Sequence, residues 1–77
     1  MTNSNFNYEI TEKIAVLSGY GDTTKELNKV SYNGSPAKYD LRSWRRVNGE
    51  EKLLKGVTLT EEEAKLLKDA LNGIEEL

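Results

Sequence analysis

The sequence ends in a helix whose apolar side is too wide for a single surface, and that feature limits what the whole chain can fold into. From Thr60 onward, Leu66, Leu77, Ala70, Ile74, Leu67, Leu71 and Ala64 fill one continuous arc of a helical wheel. Lys65, Lys68, Asp69, Asn72, Glu75 and Glu76 fill the opposite side. At about 100° per residue the apolar arc spans about 160°, whereas packing on one surface takes roughly 100°. Such a helix must bury itself against its own chain and against something else. The rest of the chain offers little help, because 77 residues make only one small core. Cysteine and histidine are both absent, so no disulfide, thiolate-bound metal or histidine-bound zinc can staple it. A second copy is the simplest cover, and the sequence predicts a homodimer that meets through Leu66, Leu67, Ala70, Leu71 and Ile74.

The helix start is written into the sequence. Thr60 followed by Glu63 three residues on is a capping box, and Glu61 and Glu62 sit at the positive end of the helix dipole. Ahead of it the pattern is that of strands. In YEITEKIAVLS (8–18), Tyr8, Ile10, Ile14 and Val16 alternate onto one face. GYGDTT (19–24) reads as a turn or short loop, and KELNKVSYN (25–33) as a second strand. There Leu27 shares a face with Lys25 and Lys29, and Val30 shares the other with Tyr32; a β-bulge or a sheet covered in part on both faces would account for it. GSPA (34–37) is the next turn. KYDLRSWRR (38–46) is a third strand, with Tyr39, Leu41 and Ser43 opposite Lys38, Asp40, Arg42, Trp44 and Arg46. VNGEEKLLK reads as a polar loop, and KGVTL as a short fourth strand with Val57 and Leu59 inward. The expected organisation is a loose N-terminus (1–7) and a single domain (8–77). Its fold class is α+β, a four-stranded antiparallel sheet followed by one C-terminal helix.

The net charge of −2 hides an uneven distribution. Residues 25–56 set Lys25, Lys29, Lys38, Arg42, Arg45, Arg46, Lys52 and Lys55 against Glu26, Asp40, Glu50 and Glu51, for +4. Residues 1–24 sum to −2 and residues 57–77 to −4. A basic middle before an acidic tail points to a polyanionic partner. A binder of single strands needs flat aromatic faces for exposed bases and cations along the phosphate path. Trp44 between Arg42 and Arg46, on the strand face that also carries Lys38, supplies that combination. A lone Trp is more often core, but charged neighbours argue for a solvent face. Tyr32 fits a core role and a ligand role equally well. Asp40 fits a role orienting Arg42 or a turn.

Other chemistries lack residues. Ser18, Ser31, Ser35 and Ser43 have no histidine to activate them. Glu61, Glu62 and Glu63 read as a helix N-terminal cluster rather than a metal site, and no glycine spacing suits a phosphate loop. The sequence thus predicts no catalytic residue, no metal, no cofactor and no small-molecule substrate. No apolar run approaches the roughly 18 residues of a membrane span, and Met1 to Asn7 is too polar for a signal peptide. The expected location is the cytoplasm, with nucleoid association if the source is bacterial. A second functional class is a protein–protein adaptor, with Trp44 as its hot spot and the acidic helix facing a partner.

Three segments in order, KELNKVSY (25–32), KYDLRSW (38–44) and KGVTLTEEEAKLL (55–67), resemble the transcriptional positive cofactor four family, and within it the small bacterial YdbC-like branch. The resemblance implies a curved β-β-β-β-α protomer that dimerises through its helices. It also implies a groove that holds single-stranded DNA with little sequence preference, RNA being the open alternative, in transcription regulation or in DNA replication and repair. On that basis Tyr32 and Trp44 match aromatic contact positions, and Lys25, Lys29, Lys38 and Arg42 match basic ones. Tyr at 32 departs from the Trp of relatives and offers a smaller stacking face. Arg46 and Lys55 join the set from outside the strict match.

Overall fold

The computed structural model describes residues 6–77. Strands β1 (Tyr8–Tyr20), β2 (Thr23–Tyr32), β3 (Lys38–Val47) and β4 (Glu50–Leu59) precede helix α1 (Glu61–Asn72). The strands form one antiparallel meander in the order β1-β2-β3-β4, so every strand pairs with its neighbour in sequence. This is the four-stranded curved sheet with one C-terminal helix that the sequence predicts. Of the expected loose terminus, residues 1–5 lie outside the described residues. Asn7 is tied down: its carbonyl accepts from Asn33 N, and its own N–H donates to Asn33 Oδ1, both at 2.8 Å.

Two expected loops are shorter than the sequence suggests. GYGDTT contracts to a two-residue turn, Gly21-Asp22, between the paired residues Tyr20 and Thr23. The polar loop around Asn48-Gly49 is likewise only those two residues, because Val47 already pairs with Glu50. Both take positive φ, 53° and 80°, the twist that a two-residue hairpin requires. β4 therefore starts at Glu50, five residues before the expected fourth strand. Its first half is polar because it pairs with polar residues: Arg46 with Glu51, and Arg45 with Lys52.

The bulges lie in β1 and β4 rather than in β2. Pairing of β1 with β2 slips between Ile10 and Glu12, between Lys13 and Ala15, and between Val16 and Ser18. Each slip inserts a residue, so the residues of β1 that share a face are Tyr8, Ile10, Lys13 and Val16 instead of every second one. Repeated bulges bend a strand and add twist, and here they curl a 13-residue edge strand around its neighbour. A further slip separates Arg42–Gly56 from Trp44–Leu53. Gly56 is needed there, since a Cβ on it would collide with the Cα and Cβ of Arg42.

The helix is built as its cap predicts. The Thr60 hydroxyl accepts from Glu63 N, and the Glu63 carboxylate accepts from Thr60 N at 2.8 Å. It ends at Asn72, with Gly73 as its cap, rather than running to Leu77. α1 packs against β3 and β4, leaving a groove of about 500 Å³ lined by Leu27, Tyr39, Leu59, Ala64, Leu67 and Leu71. No residue of the helix is buried. Among the described residues the buried apolar side chains are Val30 and Trp44.

Candidate nucleic-acid interface

The side of the sheet away from α1 carries the chemistry. The pairings of Glu26 with Arg42, Asn28 with Asp40 and Thr24 with Trp44 put the even-numbered residues of β2 and β3 on one face. Tyr8 joins them opposite Tyr32, and Glu51 joins opposite Arg46. Asp40 and Trp44 are 0% exposed and Asn28 1%. With the helix on the other side, these side chains are covered by the curl of the strands and by one another, so this side is concave.

Trp44 is therefore not an exposed stacking surface. Charged neighbours do not make this a solvent face, because Arg42 and Arg46 are held over the indole side by ion pairs with carboxylates. Arg42 donates from Nε to Asp40 Oδ1 at 2.8 Å and from Nη2 to Asp40 Oδ2 at 2.9 Å. Its Nη1 donates to the Leu54 carbonyl at 2.9 Å. Arg46 donates from Nη1 to Glu26 Oε2 at 2.7 Å and from Nε to Glu51 Oε2 at 2.7 Å. Its guanidinium also lies 5.3 Å from the centre of the Trp44 ring. The indole is roofed by paired charges and flanked by Tyr8, whose ring centre is 5.6 Å away. Burial also removes Trp44 as the hot spot of an adaptor surface.

Each carboxylate in this layer is held by several donors. Glu26 accepts from Arg46, from Thr24 Oγ1 at 2.5 Å and from Asn28 Nδ2 at 3.0 Å. The Arg46 hydrogen bonds, helped by those of Thr24 and Asn28, outweigh burial and hold its carboxyl down at about 2. Asp40 accepts from the Tyr32 hydroxyl at 2.7 Å as well as from Arg42, which orients that guanidinium as the sequence suggests. Burial, and then the bond to Asp40, push the Tyr32 hydroxyl up to about 12. The Tyr8 hydroxyl is pushed to about 12 chiefly by donating to Glu51 Oε1 at 2.7 Å. The same bond, with Arg46, lowers the Glu51 carboxyl.

The predicted residues divide between two faces. Tyr32, Lys38, Arg42, Trp44 and Arg46 share the concave side. Lys25 and Lys29 alternate with Leu27 on the other. Lys55 lies with Lys25 and Ser43 around a shallow hollow on that same side. Lys29 places its Nζ 5.0 Å from the centre of the Tyr39 ring, close to the helix groove. The strand alternation already separated Lys25 and Lys29 from Tyr32; the family likeness had drawn them into one set.

Two rings of the face, Phe6 and Tyr8, are not among the predicted site residues. Phe6, 56% exposed, lies with its centre 6.2 Å from that of Tyr8 and 6.1 Å from that of Tyr32. Together with Arg42, 5.7 Å above the Tyr32 ring, they form an aromatic strip that rises from buried Trp44 to solvent. Tyr8 was legible as a strand residue, but only the curl of β1 brings it over Trp44. Phe6 falls within the expected loose terminus, where no local pattern marks it. Glu51 was hidden in what read as a loop. Among the described residues, no group of three or more His, Cys, Asp or Glu could hold a metal ion, and no helix is long and apolar enough to cross a membrane.

Comparison with known proteins places this geometry. An uncharacterised protein of Treponema pallidum (strain Nichols) is 41% identical over 75 residues, covering 96% of this chain and 86% of that protein. The sequence pattern of the family described as "Transcriptional Coactivator p15 (PC4)" matches residues 21–70. That match runs from the β1–β2 turn into the helix and takes in the β2–β3 and β3–β4 pairings, while β1 lies outside it. The chain belongs to the transcriptional coactivator p15 (PC4) family.

Proposed function

We propose that the protein binds single-stranded DNA with little sequence preference on the concave face, and does so as a homodimer. The observation that carries the reading is the strip of Phe6, Tyr8 and Tyr32 beside the guanidinium groups of Arg42 and Arg46. Rings of this kind accept an unpaired base of any identity, because every base has a π-face, while cations beside them meet the phosphates. A duplex hides those faces. Membership of a family with single-stranded-DNA-binding members supports the same reading. Lys38 extends the cationic edge of the face. Lys25, Lys29 and Lys55, on the other side, contribute by long-range attraction within a Debye length of about 10 Å.

The homodimer rests on the uncovered apolar surface. Leu66, Leu67, Leu71 and Ile74 are 64%, 41%, 43% and 49% exposed in one protomer. Together with Ala70 they are the proposed interface, meeting their counterparts across α1 and the groove beneath it.

Fluorescence anisotropy of a labelled oligo-dT, against a duplex of the same length, tests the binding. Preference for the single strand is expected, with a log K against log salt slope of about −0.7 for each phosphate contacted. Tyr32→Ala should lower affinity roughly 5- to 150-fold, from a stacking contribution of about 1–3 kcal/mol per base. Tyr32→Phe keeps the ring and should keep the affinity. Absent binding, or equal affinity for duplex, would leave a protein-binding surface as the better account.

A further inference from the structure

Arg46 holds one more carboxylate than it needs. Glu26, 5% exposed, already pairs with it through both Nη1 and Nη2, at 2.7 and 3.3 Å. Glu51 is a second anion on the same guanidinium, bound at Nε. Its other oxygen takes the Tyr8 hydroxyl. Two donors from two different strands thus converge on the two oxygens of one carboxylate, each at 2.7 Å. Two adjacent acceptor oxygens carrying one negative charge are also what a phosphodiester presents.

The two carboxylates differ in how they are held. Glu26 sits inside the sheet, fixed by Thr24 and Asn28 as well as by Arg46. Glu51 is the second residue of β4, two places after Gly49 of the hairpin turn, and its side chain is 32% exposed. It can swing into solvent without opening the core. The aromatic strip begins beside it, since Tyr8 belongs to both. A base resting on Phe6 or Tyr8 would carry its phosphate toward this fork.

We propose that the Tyr8 hydroxyl and Arg46 Nε form a phosphodiester subsite that the chain's own Glu51 carboxylate occupies until a nucleic-acid strand displaces it. The proposal rests on the single-strand reading and adds to it a specific exchange of anions. Glu26 stays in place as the permanent counterion of Arg46, and Glu51 leaves. Two anions cannot share the fork, because like charges a few ångströms apart repel strongly where water is partly excluded. Affinity in the unaltered protein is accordingly set below what its rings and cations could reach, and Glu51 sets it.

Glu51→Gln tests this by removing the charge while keeping the shape. It should bind oligo-dT about tenfold more tightly at low salt, with a slope steeper by about 0.7, as one more net cation is released. Adding Tyr8→Phe to that variant removes one donor and should give back part of the gain. In the unaltered protein, the NMR signal of Arg46 Nε–H should shift as oligo-dT is titrated in. If the unaltered protein fails to bind oligo-dT, the single-strand reading falls and the subsite with it. If it binds, but Glu51→Gln binds equally or more weakly while remaining folded, the subsite alone is overturned. If Glu51→Gln does not fold, the Arg46 signal decides: binding that leaves it unmoved overturns the subsite.

Discussion

At the scale of single residues, the concave face shows how charge can build an interior. Asp40 and Glu26 are buried, yet every close partner they have is a donor. Buried ions of this kind persist only when paired and fully hydrogen-bonded. Trp44 lies beneath them, and its Nε1–H finds no acceptor among the described residues. Its role is thus to fill space, and that makes a sharp prediction. Trp44→Ala should lower stability by about 3–5 kcal/mol, the usual cost of emptying a large buried aromatic site, seen as early denaturant or thermal unfolding. A variant that melts normally but loses oligonucleotide binding would return the ring to the ligand. Gly56 makes the same point from the backbone. It stands in KGVTL because Arg42 crosses directly over it, which no pattern within KGVTL reveals.

At the scale of elements, α1 and β1 explain each other's exposure. β1 follows the bulges and curls away from the helix, and α1 packs chiefly against β3 and β4. The helix is left with an apolar arc touching the sheet along one edge. Leu67, at the mouth of the groove, is 41% exposed in a single protomer. Substituting it with Glu would be mild if that exposure persisted in solution. In the proposed dimer the carboxylate would be buried without a partner, which is costly. Leu67→Glu should accordingly yield monomeric or unfolded protein by sedimentation, against twice the 8.7 kDa protomer mass for the unaltered chain. A well-folded monomer of the unaltered chain at micromolar concentration would dispose of the dimer.

At the scale of the whole molecule, the single chain is less compact than a globule of its length. Its radius of gyration is 14.3 Å, where a compact chain of this length would have about 11–12 Å. It exposes 5967 Å², against about 4,700 Å² for a compact monomer of its mass. The excess, on the order of 1,200 Å², exceeds the roughly 800 Å² that each partner gives to a standard interface. The ionic layer sets the pH range of stability. Glu26 falls from 4.5 to about 2 on folding, so its contribution, on the order of 3 kcal/mol, is present above its unfolded value and is lost as pH falls toward 2. Tyr8 and Tyr32 rise from 10.0 to about 12, so their contribution is present below pH 10 and lost between about 10 and 12. Thermal unfolding followed across pH should show both limbs, and Glu26→Gln should shrink the acid one, leaving the part that Glu51 contributes. Much of this molecule was determined by the sequence alone: strand alternation in β2 and β3, the capped helix and its overly wide apolar arc. These are local signals, set by the period of a single element and by residues within four places of one another. The tertiary structure alone decided which charges face inward, how far β4 extends and which rings adjoin Trp44. Those depend on pairing register between strands and on three bulges that turn the edge of the sheet over its own face. Alternation assigns a residue to a side of a sheet, but only curvature makes that side an interior.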